Sequence, residues 1–182
     1  EKIAAVAPGV EVIEVEVAGP PTSVTLRAAG WAEAVVLIAG IGAPSDVVSV
    51  EPATGISPER VVVRTTDGAV AAASVTAAGI VVHVQAGAAL DEVTLRSYCI
   101  GAAHMAFGWV TSEGIAVDAD GTVLDLTIRS LGVLKASDTP HIQIVVDPSG
   151  GEPVQVSDAV FAAVAAATWR HLGCPTDWPT GT

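Results

Sequence analysis

Two kinds of hydrophobic spacing divide the chain. From Val10 to Val17 the sequence VEVIEVEV alternates apolar and acidic residues, the period of two that marks a half-exposed strand. Gly19-Pro20-Pro21 ends that stretch. The runs SVTLRA, EAVVLIAGI, DVVSVEP, RVVVRTT and GIVVHVQ follow, parted by Gly, Pro, Asp and Ser, and each predicts a strand. Thr66-Asp67-Gly68 predicts a hairpin turn joining RVVVRTT to AVAAASV.

At Asp91 the spacing changes to three and four. Asp91 is placed to cap a helix, and Glu92 in the first turn suits the positive end of the helix dipole. Leu95, Cys99, Ala102, Ala103, Ala106, Phe107 and Val110 then fall on one stripe. Between Arg96 and Glu113 the only ionisable side chains besides Cys99 are Tyr98 and His104, so this helix is expected to be buried on most sides. Gly101 and Gly108 lie within it, each costing about 1 kcal/mol against alanine, which points to a close approach by another backbone or a ligand.

GIAVDADGTVLDL predicts a hairpin with Asp118-Ala119-Asp120-Gly121 as its turn, LTIRSLGVLKASDTP is irregular, and HIQIVVDP predicts a strand. Ser157 or Asp158 is placed to cap a last helix, which turns Val160, Phe161, Val164, Ala165 and Thr168 inward. Arg170 and His171 stand at its negative end, and Gly173 at its C-terminal cap. The fold expected is one α+β unit, a Val-rich mixed sheet with two main helices packed on it.

Composition narrows the function classes. Apolar residues make up 51% of the 182 and charged residues 15%, which excludes disorder and suggests that another copy or another chain covers some surface. A net charge of −12 with eight Lys and Arg argues against nucleic acid and against anionic membranes. The best apolar run, Ala34 to Ala43, falls short of the roughly 20 residues that a spanning helix needs. The N-terminal EKIAAVAPGVEV lacks secretory-signal character, and the two cysteines, Cys99 and Cys174, make no disulfide framework. A cytoplasmic protein is expected.

Several chemistries fail on spacing. Ala39-Gly40-Ile41-Gly42 lacks the third glycine and the helix of a dinucleotide loop. Asp118, Asp120 and Gly121 lack the closing Glu of a calcium loop, and His83, His104, His141 and His171 show no metal-ligand spacing. No Gly-x-Ser-x-Gly elbow supplies a nucleophile. Glu152 differs in kind. Gly150 and Gly151 before it let the backbone come close to a ligand, Pro153 stiffens its far side, and a helix N-terminus follows. A half-buried Glu152 would have the raised pKa of a usable general base; a fully exposed one is a surface turn.

The order of motifs from Thr94 onward resembles the C-terminal end of the molybdenum-binding subunit of the xanthine dehydrogenase/aldehyde oxidase family. HMAFGWVTSEG (His104 to Gly114) is similar to the family's glycine-rich "MGLGWAL(S/T)E" helix. AVDADGTVL follows like its "vYDEDGRvl" hairpin, and TIRSLGVLKASDTPHIQIVV like its "lrDYliPtaaDmPpIeVv" stretch. SGGEPVQVSDAVFAAVAAA is similar to the "GxxGvGEpp" loop and the alanine-rich helix after it. The likeness covers roughly Ala71 to Ala167, with VSVEPATG as a weaker upstream extension.

The resemblance implies a strand-rich portion over 1–70, a hydroxylase-like portion over 71–173 sharing one core with it, and a tail over 174–182. It also implies that Glu152 is the base which, in the family, activates a molybdenum-bound hydroxide. Gly101, Gly108, Gly150, Gly151 and Tyr98 fall in the cofactor-facing stretches. Two departures stand out. The family's Gly-Gln-Ile-Glu-Gly reads Ser97-Tyr98-Cys99-Ile100-Gly101, so a tyrosine replaces the glutamine expected at the pterin, and the lysine before the glutamate is absent. The family's large subunit is several times longer, and most of its cofactor-holding segments lie upstream of the part resembled. Molybdopterin is therefore expected only if a partner chain supplies it, and no metal ligand is assigned here. Three roles follow: a small subunit or stand-alone homologue of a molybdenum hydroxylase completing a site with larger subunits; a non-catalytic relative acting as a homo-oligomeric or partner-binding module; or a small-ligand-binding protein.

Overall fold

The computed structural model describes Ile13 and residues 31–36, 38, 48–51, 60–124, 127–128 and 130–175. The expectations for VEVIEVEV apart from Ile13, for SVTLRA, for Ala39-Gly40-Ile41-Gly42 and for most of the tail lie outside these residues. Strands β1 (Val48–Glu51), β2 (Arg60–Arg64), β3 (Val70–Thr76), β4 (Gly79–Gln85) and β5 (Ile142–Val146) form one sheet in that order. The first four pair antiparallel, and β5 lies parallel to β4. A parallel neighbour needs a crossover, and helix α1 (Glu92–Thr111) lies within it.

Alternation along each strand sorts the side chains. Val61, Ala73, Val82 and Ile144 stand opposite one another across four strands, as do Val63, Ala71 and Val84 across three, and all are buried. Helix α2 (Ser157–His171) lies on β2 and β3, and α1 packs beside α2 and against β5. Nine residues of α2 are buried, six of them alanine. Short side chains on α2 and on β3 let helix and sheet approach closely, so the core is built from many small contacts. Its one buried polar side chain among the described residues, Thr168, donates its Oγ1 hydrogen to the Val164 carbonyl at 2.7 Å. Trp109 and Phe161 join the two helices with ring centroids 5.5 Å apart at 38°.

The α+β architecture matches expectation: a mixed Val-rich sheet carries two main helices. Thr66-Asp67-Gly68 is the β2–β3 turn, closed by Gly68 N donating to the Thr65 carbonyl at 3.1 Å, with Gly68 at φ +96°. Asp91 caps α1 by accepting from the Thr94 amide at 2.6 Å, and that bond holds its carboxyl below the ordinary range. The GIAVDADGTVL hairpin is a single bridge, Val117 to Val123, in which the Asp118 carboxylate accepts from the amides of Asp120 and Thr122.

Three expectations are corrected. Residues 31–36 and 38, inside and before EAVVLIAGI, are helical. Ala32, Val35 and Val36 are buried at the three-and-four spacing of one helix face, and an apolar run this short fits either period until packing chooses. The cap of α2 is Val156, with no side-chain hydrogen bond, and Ser157 is its first helical residue. Finally, α1 is not buried on most sides. Cys99, Ala102, Ala103, Ala106 and Val110 face α2 and the core, but Val93 (79% exposed), Tyr98 (67%), Met105 (53%) and Ile100 (45%) look outward. The core takes only one apolar face of the helix; beyond the Glu92–Arg96 pair its outer side still carries several apolar side chains that lie open among the described residues.

The two cysteines are free and differ in access. Burial pushes the Cys99 thiol up to about 11, against a smaller pull from Arg96, so little thiolate forms at neutral pH. Cys174 is only half-buried. A thiol reagent at pH 8 is expected to label Cys174 promptly and Cys99 only on unfolding, which peptide mapping checks; early labelling of Cys99 would contradict the α1–α2 packing.

Candidate functional site

The loop that carries Glu152 leaves β5 at Asp147 and reaches α2 at Ser157. It lies against the end of β4 and the residues that follow it. The Asp147 amide donates to the Val84 carbonyl at 2.9 Å, the Ala88 amide to Gly151 at 3.0 Å, and the Val154 amide to Ala86 at 3.0 Å. Ser149 Oγ donates to the Gly87 carbonyl at 3.3 Å. At the loop's start, His83 Nδ1 lies 3.2 and 3.3 Å from the two Asp147 carboxylate oxygens, both side chains half-exposed. Gly151 takes φ +99°, a left-handed conformation that suits glycine, and the space beside it and beside Gly150 is open. Glu152 and Pro153 stand exposed. The described residues of this chain therefore leave the Glu152 carboxylate on the surface rather than half-buried.

Between this loop and the start of α1 runs an open groove of about 210 Å³. Pro153 and Val154 form one wall; Leu90, Thr94, Leu95 and Tyr98 form the other, with Ala86 and Ala89 between them. Tyr98 and the neighbour of Glu152 thus border the same space. One turn further along, Gly101 is half-buried with nothing within 4 Å of where a Cβ would stand. Arg96 closes the first turn by pairing with Glu92 at 2.6 Å and donating to the Ile144 carbonyl of β5, which fixes α1 to the sheet edge.

Gly108 belongs to the other end of α1. A Cβ there would stand 2.7 Å from the Glu113 carboxylate and 3.2 Å from Leu134 Cβ, so the close approach at this glycine is made by the chain's own side chains. Burial raises the Glu113 carboxyl above its ordinary value, with His104 pulling the other way. His104 Nδ1 lies 3.0 Å from Thr139 Oγ1, and that hydroxyl is also 3.0 Å from the Lys135 carbonyl. Of the candidates, Tyr98 borders the groove, Glu152 is represented there only by its neighbour Pro153, and Gly108 lies at the other end of α1. Gly87 was not among the candidates, and it lies against the backbone of Gly151 and Glu152.

Molybdopterin carries a phosphate and a pterin rich in hydrogen-bonding edges. The groove beside Glu152 is walled mainly by apolar side chains, and its one charged lining residue, Asp91, is acidic and already engaged with Thr94. No group of three or more His, Cys, Asp or Glu side chains among the described residues could hold a metal ion. By themselves, these residues do not fit that cofactor. No described helix is long and apolar enough to cross a membrane.

No protein-family model and no curated protein matches the chain. Solved structures do. Quinoline 2-oxidoreductase from Pseudomonas putida 86 superposes with a TM-score of 0.46 at 17% identity, over 63% of this chain and 16% of that one. Reconstituted CO dehydrogenase from Oligotropha carboxidovorans gives 0.48 at 13% identity, over 63% and 15%. The Cu,Mo-CO dehydrogenase in its carbon monoxide reduced state gives 0.44 at 14% identity, over 63% and 16%. The chain thus spans less than a fifth of the length of these neighbours.

Proposed function

We propose that this chain is one component of a molybdenum-hydroxylase-like oxidoreductase, completing with larger partner chains a site to which it contributes Glu152 as a carboxylate base. The observation that carries the reading is the half-built groove. The Gly-Glu-Pro loop and the N-terminal half of α1 border one space, and both border it with exposed, mostly apolar surface. An open apolar surface of this kind suits closure by another chain, and closure would also remove water from around Glu152. The order of motifs along residues 94–167 gives the reaction class. The partner would hold the cofactor, since this chain's described residues do not; the part of this chain is to dock, to exclude water and to accept a proton on the Glu152 carboxylate.

The test is purification of the untagged protein from its native host, with metal analysis and identification of the chains that come with it. Molybdenum and a larger chain in stoichiometric amount are expected. A metal-free homo-oligomer would overturn the catalytic reading. It would favour the second one, a non-catalytic binding module, for which Tyr98 speaks because its ring occupies the border of the groove. Within a complex, Glu152→Gln is expected to leave assembly intact, since the side chain is exposed, and to lower turnover by roughly 10²–10⁴-fold, the usual worth of a positioned base. Unchanged steady-state rates would remove Glu152 from the chemistry.

A further inference from the structure

Gly87 is the first turn residue after β4 and adopts φ +68°. A Cβ on it would stand 2.0 Å from the Glu152 carbonyl oxygen, 2.8 Å from the Glu152 carbonyl carbon and 3.3 Å from the Gly151 carbonyl oxygen. No side chain tolerates such distances to backbone, which cannot swing aside as the end of a flexible side chain can. Around this contact the loop is tied on both sides of Glu152: by the Ala88 amide to Gly151 before it, by the Val154 amide to Ala86 after it, and by Ser149 Oγ to Gly87 itself.

We propose that Gly87 is the positioning residue of Glu152. Its missing side chain lets the Glu152 backbone lie against the end of β4, and that contact sets where the carboxylate stands beside the groove. The proposal rests on the reading that Glu152 is the functional group of this loop, but the placement itself can be measured in the isolated chain, so the two fail separately. Absence of molybdenum and of a partner removes the function and leaves the placement standing.

The experiment compares Gly87→Ala, Gly87→Asn and Gly68→Ala in the full chain, reading amide exchange at Ala88 and Val154 and the ¹³C resonance of the Glu152 carboxyl at one fixed pH. Gly68 has φ +96° with open space around it, so its substitution imposes backbone strain alone. Asparagine tolerates a positive φ better than alanine but keeps the Cβ, so Gly87→Asn isolates the close approach. Both Gly87 variants are expected to speed exchange at Ala88 and Val154 by about tenfold or more relative to Val82 in the core, and to shift the Glu152 resonance, while Gly68→Ala does neither. Wild-type exchange and an unmoved Glu152 resonance in Gly87→Asn would overturn the proposal, because the glycine would then serve its dihedral angle alone. If the Gly87 variants do not accumulate, Ser149→Ala removes only the hydroxyl donated to Gly87; it is expected to shift the Glu152 resonance, and an unmoved resonance would overturn the proposal equally.

Discussion

Enlarging Ala163 to leucine is expected to destabilise the protein by about 1–3 kcal/mol, more than a comparable change at any exposed position. Ala163 is fully buried in α2, between flanking buried residues Ala162 and Val164, and the helix lies on β2 and β3. The added carbons have no void to enter, because the closeness of helix and sheet is itself made by alanines on α2 and by Ala71 and Ala73 on β3. Room must come from lifting α2, and that would also part Trp109 from Phe161 and loosen α1. The complementary change, Ile80→Ala, removes the largest fully buried side chain of β4 and is expected to cost about 2–5 kcal/mol through lost burial and the cavity left behind. Urea midpoints at constant slope measure both. A neutral Ala163→Leu would show that the layer between α2 and the sheet is loosely packed, and the account of this core would fail with it.

How much of this was legible depends on the range over which each signal acts. The stripe from Cys99 to Val110 and the cap at Asp91 are local, set by spacing within a few turns, and they lie where the pattern places them. So do the turn at Gly68 and the strand pairs on either side of it. The helix at residues 31–36 was not legible, because Val35, Val36 and Ile38 suit a strand by their branching and a helix by their spacing. Contact with the rest of the core decides between them. Glu152 was legible as a candidate from its glycines and proline, yet its exposure was not. Gly87 was the least legible residue, since what makes it special stands 62 positions away at Ser149 and beyond. A glycine after a strand announces a turn; only the fold shows which backbone it admits. The outward face of α1 was misjudged for a related reason. A lack of charge reports that a surface avoids water, and it does not report whether the chain's own core or another molecule provides the shelter.

That outward face yields the sharpest separation between folding and assembly. Ile100→Glu is expected to leave the stability of the free chain within about 1 kcal/mol, because the side chain is about half in water and the new carboxylate sits one turn after Arg96. Glutamate also forms helix more readily than isoleucine. In the proposed assembly the same change would bury a carboxylate beside Val93 and whatever apolar surface the partner presents, and the nearby Arg96 is already shared between Glu92 and the Ile144 carbonyl. An uncompensated charge at an interface costs on the order of 2–5 kcal/mol, a loss of roughly thirtyfold or more in affinity. Co-purification from the native host should therefore fall to background while urea unfolding of the isolated variant matches the wild type. Retention of the partner by Ile100→Glu would show that the larger chain approaches from elsewhere, and the groove beside Glu152 would then need another explanation for its open, apolar walls. Loss of the partner together with loss of stability would show that Ile100 supports the fold, and the docking face would have to be sought with a second exposed position, Val93→Glu, which lies two turns earlier on the same side of the helix.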